Sequence, residues 1–219
     1  MNIFQAITSR RSAERFDDRP VDEKLVGLML HMATYAHSAG NMQEWEFIVV
    51  EDNKIKLKIA EAALKQKQVA DAPIDIIVCA DLEKASSKYG KRGEIAYALQ
   101  DASAAATNIV LTATALGLST NWVASFDDER MKDILGLPDN LRPVAIVAVG
   151  YPAEETEEIA RHSFEDVTYL NEYGNKIFLE FKPIANALEK KIMELSEKYK
   201  EVKPKKKIDI KEMLKRALR

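Results

Sequence analysis

Apolar residues at Leu25, Leu28, Met29, Met32, Ala33 and Ala36 recur at three- and four-residue steps. That spacing predicts an amphipathic helix, with Asp22, after Pro20-Val21, as its expected N-cap. The pattern then changes, and Trp45 to Val50 is a short aromatic and β-branched run that reads as a strand. Helical spacing returns over residues 53–69 through Leu57, Ile59, Ala60, Ala63 and Leu64. Asp71-Ala72-Pro73 breaks it, and Ile74–Ala80 follows as a continuous apolar strand expected to be buried on both faces. Residues 94–116 are alanine-rich, with Ala96, Leu99, Ala102, Ala105, Ala106, Ile109 and Ala113 in helical register and Gly117 suited to the C′ position. So many small residues suit a helix packed closely on several sides, at a domain centre or a subunit interface. Two further strands are expected at Thr120–Ala124 and Val144–Val149, separated by a short helix over 128–135. The sum is α+β or α/β, a small sheet flanked by helices.

Beyond Lys182-Pro183 the sequence turns helical and highly charged, so 1–182 reads as the domain and 183–219 as an appended helical extension. Ile184, Leu188, Ile192, Leu195 and Tyr199 form one apolar seam, and Ile210, Met213, Leu214, Ala217 and Leu218 repeat it after Pro204. Residues 203–219 carry eight positive and two negative charges; with a net charge of -3, the remainder sums to -9. An acidic body and a basic tail suggest that both helices dock on a dimer of the chain, with the second able to reach the other subunit. A tail for nucleic acid or membrane is the alternative, and the chain is expected to bind neither.

Composition narrows the chemistry. At 219 residues, with 47% hydrophobic and 31% charged, the chain is long and apolar enough for one substantial core. No stretch approaches the roughly 20 apolar residues of a membrane helix, and Met1–Gln5 does not resemble a secretory signal. The single cysteine, Cys79, fits a reducing cytoplasm and reads as an inert core thiol. His31, His37 and His162 are too scattered for zinc-finger or zinc-protease spacing. None of the eight glycines forms a Rossmann or P-loop phosphate cradle, so a bound nucleotide would be held by side-chain cations and hydroxyls.

Four segments carry groups suited to such a ligand. Arg10-Arg11-Ser12-Ala13-Glu14-Arg15, after a short helix, offers guanidinium groups and a hydroxyl for a phosphate, although a surface arginine cluster is often merely solvated. His37-Ser38-Ala39-Gly40-Asn41-Met42-Gln43-Glu44 combines small residues with amide donors and acceptors, and it equally suits an ordinary turn. The strand toward Val123-Ala124-Ser125 ends at an edge where open sheets receive ligands. Gly150-Tyr151-Pro152 is followed by an isolated cation, Arg161. Lys84, Lys88, Lys91 and Arg92, in an expected loop over 81–93, suit either solvent or the phosphates of a nicotinamide cofactor.

In order and spacing these segments resemble the FMN-dependent nitroreductase family. The resemblance rests on Arg10-Arg11-Ser12, Ser38-Ala39-Gly40-Asn41-Met42-Gln43-Glu44-Trp45, Asp71-Ala72-Pro73, Ala115-Leu116-Gly117-Leu118-Ser119-Thr120-Asn121-Trp122, Leu135-Gly136-Leu137-Pro138, Val149-Gly150-Tyr151-Pro152 and Arg161, and it spans about residues 3–174. It implies a nitroreductase-like fold with a small mixed central sheet. It also implies a homodimer with flavin sites at the interface, FMN as cofactor and NADH or NADPH as hydride donor. A small-molecule acceptor (a nitroaromatic, quinone or flavin) would be reduced by a ping-pong mechanism. Carried over by resemblance, Arg10, Arg11 and Ser12 would hold FMN phosphate and ribityl oxygens, joined by Arg161. Ser38, Ala39, Gly40, Asn41 and Gln43 would come from the partner subunit. Gln66 would reach the flavin or its ribityl chain, and the backbone at Val123, Ala124 and Ser125 would lie beside the reactive nitrogen. The flavin carries the reaction, so no protein residue is assigned as catalytic.

Three positions depart from the family pattern. Glu14 stands where a basic residue is usual, so Arg15 is the expected substitute. Glu44 replaces a proline and is expected to alter loop rigidity more than chemistry. Ile159 takes the place of a phosphate-binding lysine found in some members. The resemblance leaves room for a reductive dehalogenase or dehydrogenase on the same fold, or for a flavin-binding protein with little turnover.

Overall fold

The computed structural model describes residues 1–154, 156 and 159–176. The chain divides into two compact units, Met1–Glu158 and Ile159–Arg219. In the first, α1 (Ile3–Ser9) starts at a capping box in which the Asn2 and Gln5 side chains each accept the other's backbone N–H. Helix α2 (Glu23–Ala33) starts as expected at Asp22, whose carboxylate accepts the Lys24 N–H. Strand β1 is Trp45–Val50, the predicted span.

The single helix expected over 53–69 is two, α3 (Asn53–Ala62) and α4 (Lys67–Asp71). Leu64 and Lys65 both adopt left-handed backbone, and the Lys65 N–H bonds back to the Ala60 carbonyl, as in a Schellman closure. Neither residue is a glycine, so composition carries no stop signal there. Strand β2 (Ile74–Asp81) is buried along Ile74–Ala80, as its apolar run demands. The expected loop over 81–93 is instead a helix, α5 (Leu82–Arg92), capped by Asp81. Only Ala85 of α5 is buried, so it presents no apolar stripe to read. The alanine-rich segment opens with a π turn, Gly93–Tyr97, and continues as α6 (Ala98–Ala115). Strand β3 (Ser119–Val123), α7 (Asp128–Leu135) and β4 (Leu141–Gly150) complete the first unit. Strand β4 starts earlier than expected because its Pro143 is accommodated where the β2–β4 register shifts at Val78/Cys79.

Among the described residues the sheet has four strands in the order β1-β2-β4-β3. Every pairing between them is antiparallel, where a mixed sheet was expected; among the described residues the parallel element is a single bridge, Ser12 to Thr120. Helices α2 and α6 cover one face, burying Met29, Ile76, Val78, Ile109 and Val147 with the α6 alanines. Helices α3, α4 and α7 cover the other, over Ile59, Val69, Ile77, Met131 and Ile146. The alternation along β2 follows the pleat, with even positions facing α6 and odd positions facing α3.

Asp75 interrupts that apolar face. It is fully buried, and neither carboxyl oxygen has a hydrogen-bond partner. Burial drives its pKa well above 3.8, while the Lys56 ammonium, which donates to the Ala72 carbonyl at 2.5 Å, opposes the shift. A carboxyl whose pKa is raised by folding favours the folded state while protonated, and that contribution is lost as pH rises from 3.8 through the raised value. Asp75→Asn is therefore expected to flatten the fall in stability with rising pH, measured by denaturant melts across a pH series.

In the second unit, residues 159–176 hold a 3-10 turn, Phe164–Val167, and a bridge between Tyr169 and Lys176. The expected helical seams of 183–219 lie outside the described residues.

Candidate active site

The Arg10–Phe16 segment is fastened to β3. The Ala13 N–H donates to the Thr120 carbonyl at 3.0 Å, and the Asn121 side chain donates to the Ala13 carbonyl at 2.8 Å. Phe16 bridges to Pro152, and the Asp17 N–H donates to the Tyr151 carbonyl at 2.9 Å. The motifs around residues 12, 120 and 150 are thus one local structure. Arg10 reaches Ser12 Oγ at 3.4 Å, and both line a cavity of about 550 Å³ between α1, α6 and β3. Its walls are polar at Arg10, Ser12 and Thr120 and apolar at Val110, Leu111 and Trp122. Arg11 turns away, donating to the carbonyls of Thr8 at 2.7 Å and Arg10 at 3.0 Å, and lines a different cavity with Ser119, Pro152 and Glu154. Arg15 and Glu14 are exposed.

At the far end of β3, Val123 is buried while Ala124 and Ser125 are exposed just beyond the strand. Gln66 meets them, as its Nε2 donates to the Ser125 carbonyl at 3.2 Å and to the Ala63 carbonyl at 3.0 Å. The broken helix serves this contact, since the left-handed turn at Leu64-Lys65 leads directly into Gln66.

The Ser38–Gln43 loop forms a 3-10 turn at Ala39–Asn41, with Gly40, Asn41 and Gln43 in the left-handed region. Ser38 Oγ accepts the Gln43 N–H at 3.0 Å, and Gln43 Nε2 donates to Asn41 Oδ1 at 3.0 Å. Side chains from outside hold its main chain. Asp101 Oδ2 accepts the Ala39 N–H at 2.7 Å, Lys84 Nζ donates to the Gln43 carbonyl at 2.9 Å, and Lys88 Nζ donates to the Gly40 carbonyl at 3.3 Å. Lys84 and Lys88 therefore serve this loop, correcting their expected place in a solvated or nucleotide-binding connection. Asp101 was missed on sequence, though a signal existed: a lone acid among alanines, with no cation three or four residues away.

The loop and the Arg10–Ser12 group sit at opposite corners of the sheet. Through the register, the Trp45 row meets Ala80 and the Thr120 row meets Ile74, on opposite outer strands. At about 3.4 Å per residue and about 4.8 Å per strand, these rows lie about 20 Å apart along the sheet and about 14 Å across it. Helix α6 repeats the separation, with Asp101 and Val110 about 14 Å apart along its axis.

His37 and His162 are exposed, and Arg161 lies exposed in the second unit. Cys79 is buried, and burial pushes its thiol up to about 12, consistent with an inert core residue. Among the described residues no cluster of His, Cys, Asp or Glu could hold a metal, and no helix is long and apolar enough to cross a membrane.

The profile of the Nitroreductase family matches residues 7–75 and 62–151. The chain belongs to that family. As a nitroreductase it is an oxidoreductase of the NAD(P)H-linked class. It is 36% identical over 158 residues to a protein of Archaeoglobus fulgidus that carries the provisional name NADH dehydrogenase/NAD(P)H nitroreductase, covering 70% of this chain and 87% of that one. It is also 36% identical over 177 residues to the NADH dehydrogenase of Thermus thermophilus, covering 68% and 86%. The fold superposes on a Staphylococcus epidermidis protein provisionally named NAD(P)H:FMN oxidoreductase with a TM-score of 0.70, at 25% identity and 77% and 95% coverage.

Proposed function

We propose that this nitroreductase binds FMN in a site assembled by two copies of the chain. In this reading it takes hydride from NADH or NADPH and delivers it to a small-molecule acceptor such as a nitroaromatic, a quinone or a free flavin. The observation that carries this reading is the cavity beside β3, with a guanidinium and a hydroxyl at one end and an apolar wall along the other side. These residues fit FMN. Arg10 and Ser12 suit its phosphate by charge-assisted hydrogen bonding, and Val110, Leu111 and Trp122 exclude water. The open backbone at Ala124 and Ser125 lies about 14 Å further along the strand, where an elongated ligand with an anionic head would present its aromatic end. A bound flavin would supply the hydride chemistry. The chain's own work is to orient that group, shield it, and offer backbone N–H donors at residues 123–125.

The opposite-corner geometry supports the second copy. If the Ser38–Gln43 loop also contacts the flavin, it does so from a neighbouring chain, because its own cavity lies across the sheet. An exposed apolar face is available for such pairing, including Ile3, Phe4, Ile7, Leu28 and Tyr35. Donor and acceptor would then use one shared cavity in turn, a ping-pong order.

Titrating the purified protein with FMN while following its sedimentation tests this reading. One FMN per chain in a dimer is expected. A monomer that retains stoichiometric FMN, or a dimer that takes up none, contradicts it.

A further inference from the structure

Beneath the Ser38–Gln43 loop lie two carboxyl groups that the hydride-transfer reading does not use. Glu44 joins the loop to β1; it is 1% exposed, and neither of its carboxyl oxygens has a hydrogen-bond partner. Its main chain is fixed, since its carbonyl accepts the Asp81 N–H at 2.7 Å. Asp101, in the first turn of α6, is 7% exposed and spends one oxygen on the Ala39 N–H. Glu44 and Asp101 neighbour one another. Two ionised carboxyls in so dry a place repel strongly.

Little nearby offsets that repulsion. Among the described residues, the charged side chains facing Glu44 are Asp101 from α6 and Lys84 from α5. Lys84 commits its ammonium to the Gln43 carbonyl. Lys88, also on α5, reaches the loop at Gly40. The loop itself is strained, with Asn41 and Gln43 left-handed without being glycine. Such backbone persists only where its surroundings over-determine it. The Ala39–Asp101 bond is one of those determinants.

We propose that Glu44 is a positioning residue, buried as the neutral acid beneath the loop that the Asp101–Ala39 bond fastens. Loss of the Glu44 proton would put an unpartnered charge into the buried space beside the Ala39–Asp101 bond, and that releases the loop. The consequence for flavin affinity rests on the reading of this loop as a flavin contact; the consequence for the loop does not. Burial raises the Glu44 carboxyl above its ordinary value of 4.5, and the neighbouring Asp101 raises it further, while the Lys84 charge pulls the other way. The sign follows from the raised value. The ordered loop is favoured while Glu44 is protonated, and it loosens as pH climbs from 4.5 through the raised pKa.

The test uses the full chain and two readouts across a pH series. In the first, quenching of FMN fluorescence gives the dissociation constant. The wild type is expected to weaken about tenfold as Glu44 ionises, the scale of one charge-assisted hydrogen bond. Glu44→Gln, which keeps the shape and donates an N–H, is expected to hold its low-pH affinity throughout, whereas Asp101→Asn is weakened at every pH. In the second readout, amide exchange of the Ala39–Gln43 segment is measured without FMN, as the ratio of wild type to Glu44→Gln at each pH. That ratio is expected to rise with pH. Should no variant bind FMN, the flavin reading fails while the exchange ratio still decides the proton's role. An exchange ratio independent of pH overturns the proposal, as do parallel affinity profiles for wild type and Glu44→Gln where FMN binds.

Discussion

Arg10→Ala is expected to weaken FMN binding roughly ten- to a hundredfold, the equivalent of about 1.5–3 kcal/mol for a lost hydrogen bond to a charged group. The arginine is half-buried at the mouth of its cavity, so its interaction with an anion is screened less than that of a fully exposed side chain. Arg11→Ala should cost less, because Arg11 Nη1 bonds to the carbonyls of Thr8 and Arg10 in its own loop. The ordering of the two variants, read by fluorescence titration at fixed salt, is the informative result. Equal losses would return both arginines to the phosphate, as the family resemblance alone implies. No loss in Arg10→Ala would remove the cavity from the argument.

Gly150→Ala should lower stability by about 1–3 kcal/mol, the usual cost of forcing an extra methyl into a packed core. A Cβ at this position would lie 2.5 Å from Pro73 Cδ and 2.9 Å from Phe16 Cδ1. Both neighbours are ring atoms held in place, since Phe16 is buried and bridged to Pro152 and Pro73 opens onto β2. The melting temperature should fall by several degrees on that scale, about 2–4 °C per kcal/mol for a domain of this size. Because Phe16 ends the segment that carries Arg10 and Ser12, flavin affinity is expected to fall together with stability. A variant as stable as wild type would mean that the Phe16 corner yields freely.

The local patterns that govern this fold are legible in the sequence where burial is one-sided or complete. The β-branched run of β1 and the capped turn of α7 end where their residues say they should. Helix α5 is not legible, because a helix that buries one alanine leaves no periodicity. Its contribution, two lysines laid over the Ser38–Gln43 loop, became visible only with the packing. The same holds for Glu44. As a letter it is a substitution in a loop, and only its burial beside Asp101 makes it a titratable element. The separation of the Arg10 and Ser38 groups depends on strand order and register between segments distant in sequence, which no local pattern encodes.

Anaerobic stopped-flow mixing of the FMN-loaded protein with NADH and with NADPH tests the central claim most directly. The account predicts that at least one donor bleaches the visible flavin band in a single turnover, and that a quinone or nitroaromatic added afterwards restores it with the nicotinamide already released. A flavin band unchanged by either donor, in protein holding one FMN per chain, would contradict it.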